Sequence, residues 1–120
     1  MSCRLLYVDD EADLRQLVQM HLSLEGYDVE TAGDGETALA LIQSKPYDIV
    51  LLDVYMPRMN GIQVLQYLKR HRMKTRLIML TGSNNPYIAK ECARLGVSAY
   101  LSKPYNFHEL IDSIDRVMAA

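Results

Sequence analysis

Cysteine is scarce in this chain. Cys3 and Cys92 are the only two in 120 residues, with no metal-ligand spacing and no disulfide framework, as expected of a protein in the reducing cytoplasm. Long apolar runs are missing as well. None approaches the roughly 18 residues that a membrane span needs. The strand pattern begins at Arg4, and no charged segment and apolar stretch of a secretory leader comes before it. Charge of one sign is also lacking. Thirteen basic residues face 15 acidic ones, a formal net charge of −2, which argues against the basic stripe of a nucleic-acid surface. Arg70, His71, Arg72, Lys74 and Arg76 do cluster, but a run of that kind between two elements reads as a solvated loop. No glycine-rich phosphate loop follows Val8 or Leu52, which counts against a nucleotide-binding domain. Low-complexity segments, linkers and internal repeats are absent. The expectation is a cytoplasmic domain with no direct nucleic-acid contact and no membrane segment.

What the chain does have is 49% hydrophobic residues, enough to core a single domain over residues 1–120. They follow a strand–helix rhythm repeated five times. Arg4 to Val8 is a short apolar run, and Glu11 to Leu24 carries Leu14, Leu17, Val18, His21 and Leu22 at helical spacing up to Gly26. Tyr27 to Thr31 alternates as a strand with one wetter side, and a helix opens at Asp34-Gly35 and ends before Pro46. Ile49 to Leu52 is continuously aliphatic, as a strand covered on both faces should be. A loop from Asp53 to Asn60 leads to a helix after Gly61, then Leu77 to Leu80 repeats the buried strand pattern. Pro86 suits the first turn of a helix that runs to Leu95. Val97 to Leu101 reads as the fifth strand, and Asn106 with Glu109 forms a capping box before the last helix. This alternation predicts an α/β fold, a doubly wound five-stranded parallel sheet with helices on both faces.

Polar residues stand where the apolar runs stop. Asp9, Asp10 and Glu11 follow the first run, Asp53 the third and Lys103 the fifth. In a parallel sheet these ends lie on one edge, where ligands bind at the point of reversed strand order. Several acids gathered there repel one another unless a cation sits among them. Mg²⁺ takes one or two carboxylates together with phosphate oxygens, so Asp9, Asp10 and Asp53 suit it while Lys103 offsets charge from another side. Thr81 adds a hydroxyl beside Gly82. A carboxylate next to Mg²⁺ and a lysine is placed to accept a phosphoryl group.

Five pieces of the chain carry a resemblance. They are Val8-Asp9-Asp10-Glu11, Leu51-Leu52-Asp53-Val54, Met56-Pro57-Arg58-Met59-Asn60-Gly61, Thr81-Gly82, and Tyr100 through Lys103-Pro104. No one piece is decisive, but five in order at element ends are highly specific. Over its whole length the sequence resembles a CheY-like response-regulator receiver domain of bacterial two-component signalling. The resemblance implies a flavodoxin-like sheet of order 2-1-3-4-5. It implies that Asp53 is the phosphoacceptor and that Asp10 and Asp53 bind Mg²⁺ with the main-chain carbonyl of Tyr55, Asp9 acting directly or through water. Thr81 would bond the phosphoryl group, Lys103 would pair with it, and Tyr100 would turn inward as Thr81 moves. Lys103-Pro104 would be a cis bond. The implied partners are a sensor histidine kinase or phosphotransfer protein upstream, and a downstream protein effector or an output domain absent from this chain.

Plainer readings apply elsewhere. Glu11 is better taken as a helix N-terminal charge than as a ligand, His21 as a packing residue, and His108 as solvent-facing. Asn60 replaces the acid often found before the loop glycine. Ala99 stands where winged-helix regulators usually carry an acid, which weakens a claim of dimerisation. The competing function is a Mg²⁺-dependent phosphohydrolase with an aspartyl-phosphate. Such enzymes usually place a second acid two residues after the nucleophile, where this chain has Tyr55. The Tyr55 ring is expected either at the mouth of the pocket, where Ser83 is too small to shield the other side, or flat on the loop, packed against Met56 or Tyr105.

Overall fold

The computed structural model of the protein describes residues 3–82 and 85–120. Within them five strands alternate with five helices: β1 (Arg4–Val8), α1 (Ala12–Leu24), β2 (Asp28–Ala32), α2 (Gly35–Ser44), β3 (Ile49–Asp53), α3 (Gly61–Arg70), β4 (Arg76–Thr81), α4 (Pro86–Arg94), β5 (Ala99–Ser102) and α5 (Phe107–Ala119). All strand pairs are parallel and their order is β2-β1-β3-β4-β5, as the resemblance implied. Every residue of β3 is buried, which accounts for its unbroken aliphatic sequence.

Successive side chains of the central strands feed opposite faces. Leu6, Val8, Val50 and Leu52 pack with Val64 and Leu68 of α3. Leu5, Tyr7, Ile49 and Leu51 pack with Val18 and Leu22 of α1 and with Leu110 and Ile114 of α5. Each such Leu or Ile contributes about 1.5–3 kcal/mol through burial. His21, read as a packing residue, stacks on Phe107 with ring centroids 3.8 Å apart.

Two strand starts differ from expectation for one reason. Tyr27 N–H closes α1 by donating to Leu22 O at 3.2 Å, and Val97 N–H closes α4 by donating to Cys92 O at 3.1 Å. Both side chains look strand-like, but their backbones serve the preceding helix, so β2 begins at Asp28 and β5 at Ala99. Arg76 and Thr81 extend β4 because they pair with Ile49 and Ser102. Glu11 lies just outside α1 and makes no side-chain cap bond. The capping box at Asn106 and Glu109 forms as read, and Asn60 builds a second one with Gln63.

The segment between β3 and α3 is braced from two sides. A Cβ on Gly35 would run into the carbonyl of Met59, and one on Gly61 would meet the Asp53 carbonyl at 2.5 Å. Only glycine allows backbones that close. The N-terminus of α2 therefore supports the loop that follows Asp53.

Candidate functional site

The carboxyl ends of β1, β3, β4 and β5 bring Asp9, Asp53, Thr81 and Lys103 together. Lys103 N–H donates to Thr81 O at 2.8 Å, which ties the segment after β5 to the end of β4. From there the Lys103 ammonium reaches Asp53 Oδ2 at 2.6 Å and Asp9 Oδ2 at 3.1 Å. Asp9 and Thr81 are fully buried and Asp53 almost so. Asp10 is exposed, and one carboxylate oxygen each from Asp9, Asp10 and Asp53 lies within 4.8 Å of the others. Glu11 is outside this group; its main-chain N–H donates to Asp9 Oδ1 at 2.9 Å. The Lys103-Pro104 bond is cis.

Lys103 and Asp53 both titrate above their ordinary values. For Lys103, burial pulls downward, but hydrogen bonds and attraction from both Asp53 and Asp9 outweigh it. For Asp53, burial pushes the carboxyl up, Lys103 opposes this, and Asp9 adds repulsion. One cation shared by two acids gains more than either acid does. A carboxyl raised in this way holds its proton more tightly folded than unfolded. Its ionisation therefore costs stability as pH rises through the folded value. Metal-free Asp53→Asn should be no less stable than wild type at neutral pH. Any advantage should fade as pH falls towards about 4, the ordinary carboxylate range. Urea unfolding in a chelator across this range checks it; a clear loss in the variant at neutral pH would contradict the charge account.

The other residues named from the sequence also gather here. Tyr55 N–H donates to Asp53 Oδ1 at 3.3 Å, and the residue is 56% exposed. The titration of Tyr100 is raised chiefly by burial, and the neighbouring Thr81 side chain opposes this. Ser83 lies outside the described residues. His108 is exposed, as expected.

Three contributors escaped sequence reasoning. Tyr7 O–H donates to Asp9 Oδ2 at 3.2 Å, and Tyr105 Oη lies 2.9 Å from Tyr7 Oη. Arg15 Nη1 donates to the Asp9 carbonyl at 2.8 Å. A signal for Tyr7 was present: residues i and i+2 of a strand share a face, so a tyrosine two places before Asp9 points the same way.

The fold and the edge pocket define an open, doubly wound α/β domain of the CheY-like flavodoxin kind. Comparison makes this definite: a family model for the response regulator receiver domain matches residues 5–115, and the chain belongs to that family. It is 34% identical over 110 residues to the alkaline phosphatase synthesis transcriptional regulatory protein PhoP of Bacillus subtilis, covering 92% of this chain and 46% of that protein. It is 39% identical over 115 residues to the transcriptional regulatory protein CpxR of Escherichia coli, covering 96% and 49%. The chain thus spans about half the length of these curated relatives. Among solved structures it resembles chemotaxis protein CheY4 of Vibrio cholerae, with a TM-score of 0.90, 34% identity and coverage of 98% and 99%. It also resembles response regulator TrrA of Thermotoga maritima in complex with Mg²⁺-BeF, with a TM-score of 0.85, 32% identity and coverage of 96% and 98%. Among the described residues no helix is long and apolar enough to cross a membrane.

Proposed function

We propose that this receiver domain accepts a phosphoryl group on Asp53 in a Mg²⁺-dependent reaction and thereby changes its partner-binding surface. The donor would be a sensor histidine kinase or a phosphotransfer protein. The recipient of the signal would be a downstream effector or an output domain, all in the cytoplasm. The observation that carries this is Lys103 reaching Asp53 and Asp9 at 2.6 and 3.1 Å. Around that lysine stand three carboxylates whose oxygens cluster within 4.8 Å.

Three hard oxygen donors against one ammonium fit a small divalent cation. Asp10 and Asp53 would hold Mg²⁺ with the Tyr55 main-chain carbonyl, and Asp9 would act directly or through water. The ion would neutralise charge on the transferring oxygens. The P–N bond of a phosphohistidine breaks as the Asp53 O–P bond forms, and the imidazole leaves. Lys103 then pairs with the new phosphoryl oxygens. Thr81 moves to bond the phosphoryl group, Tyr100 turns into the space it vacates, and that change passes towards α4 and α5.

The TrrA complex, which pairs Mg²⁺ with a beryllofluoride, supports this reading. The phosphohydrolase alternative is disfavoured by Tyr55 at the position of a second acid. Incubation with a small phosphodonor and Mg²⁺ separates the two. One retained phosphoryl group per chain is expected, and steady phosphate release would favour the hydrolase.

Tyr55 bears on how long that group lasts. Tyr55 is exposed and its main-chain N–H bonds the acceptor; hydrolysis needs a water in line with the phosphorus, and a ring turned over the pocket mouth would block its path. Tyr55→Asn should shorten the phosphoryl lifetime about tenfold, which is roughly 1.4 kcal/mol in the barrier. Phosphate-release kinetics check this, and equal lifetimes would mean that the ring shields nothing.

A further inference from the structure

Tyr7 is fully buried one residue before the end of β1, where a phenylalanine would fill the space without a hydroxyl to satisfy. A buried hydroxyl costs free energy unless it is bonded. This one is bonded on both sides, to Asp9 Oδ2 at 3.2 Å and to Tyr105 Oη at 2.9 Å. A carboxylate only accepts, so the single proton of Tyr7 goes to Asp9, and Tyr105 must donate the proton of the second link.

The remaining bonds of Asp9 show what this achieves. Its Oδ1 accepts Glu11 N–H at 2.9 Å, while its Oδ2 accepts both Tyr7 O–H and the Lys103 ammonium at 3.1 Å. An ionised carboxylate offers roughly four acceptor positions. Three are filled from within the protein, and the position left over belongs to Oδ1. Tyr105 follows Lys103-Pro104 directly, so one short segment after β5 supplies both influences on Oδ2.

We propose that Tyr105 and Tyr7 form a positioning relay that locks the Asp9 carboxylate with Oδ1 turned to the metal site. This rests on the reading of the acids as a Mg²⁺ site. Without the Tyr7 proton, Oδ2 keeps only Lys103, and Asp9 either turns or draws that lysine away from Asp53. The partners that orient metal-binding groups typically govern affinity tenfold or more.

The test is calorimetric titration of the unphosphorylated full chain with MgCl₂ for wild type, Tyr7→Phe, Tyr105→Phe and the double variant. Thermal unfolding in a chelator is run alongside. Tyr7→Phe should weaken Mg²⁺ binding about tenfold, and Tyr105→Phe should weaken it less. The double variant should bind no more weakly than Tyr7→Phe, because the outer link acts only through the inner one. A lowered melting temperature with unchanged affinity would show that Tyr7 merely packs, and would overturn the relay; additive losses in the double variant would also overturn it. If Tyr7→Phe does not fold, wild-type affinity in Tyr105→Phe refutes the proposal. Wild type that takes up no Mg²⁺ refutes the metal reading itself, whereas binding by wild type with unchanged affinity in Tyr7→Phe refutes only the relay.

Discussion

Lys103→Met should destabilise the metal-free protein by about 3 kcal/mol at neutral pH, and Mg²⁺ should restore much of the loss. Removing one partner of a buried ion pair typically costs about 3–5 kcal/mol, because the remaining charge stays desolvated. Here two acids are left together, Asp9 fully buried and Asp53 nearly so. The lysine side chain is 24% exposed, which places the effect at the low end of that range. The sign of the pH dependence follows from the two shifts. Lys103 titrates above its ordinary value, so its contribution is complete below about 10.4 and disappears as pH rises through the folded value. On the acid side Asp53, already raised by burial, takes up a proton and relieves the variant. The penalty should therefore be flat through neutral pH and shrink at both extremes. Urea unfolding in a chelator checks this, and a loss below about 1 kcal/mol would mean that the pair behaves as a surface bridge.

Chelating divalent cations should slow phosphorylation of the wild type by at least about a hundredfold, the scale seen when one preorganised charge-stabilising group is lost. Asp9, Asp10 and Asp53 stand against a single lysine, so two negative charges go uncompensated where an anionic phosphoryl group must approach. Lys103 is already committed to both Asp9 and Asp53. Initial rates of labelling from phosphoramidate, with MgCl₂ or with EDTA, measure the effect. Equal rates would show that Lys103 alone carries the electrostatics.

Part of this site is legible in the sequence. Asp53, Thr81 and Lys103 stand where parallel strands end, and a parallel sheet puts such ends on one edge whatever the sequence between them. Tyr7 was hidden because it sits inside the run Leu5-Leu6-Tyr7-Val8 and reads as one more core residue. Its meaning depends on Tyr105, which arrives from the opposite end of the chain. The role of Gly35 was also out of reach, since its close neighbour is the Met59 backbone, a contact that no local pattern announces. Val97 misled for a different reason. Its side chain suits a strand, but its N–H is spent on Cys92 O, and hydrophobic periodicity carries no record of backbone bonds.

The central claim is that Asp53 is the acceptor. Wild type and Asp53→Asn should be treated with phosphoramidate and MgCl₂, followed by intact mass and peptide mapping. One phosphoryl group per wild-type chain, mapped to Asp53 and missing from the variant apart from weak labelling of a neighbouring acid, is the result this account predicts. Labelling of Asp53→Asn at the wild-type level would contradict it.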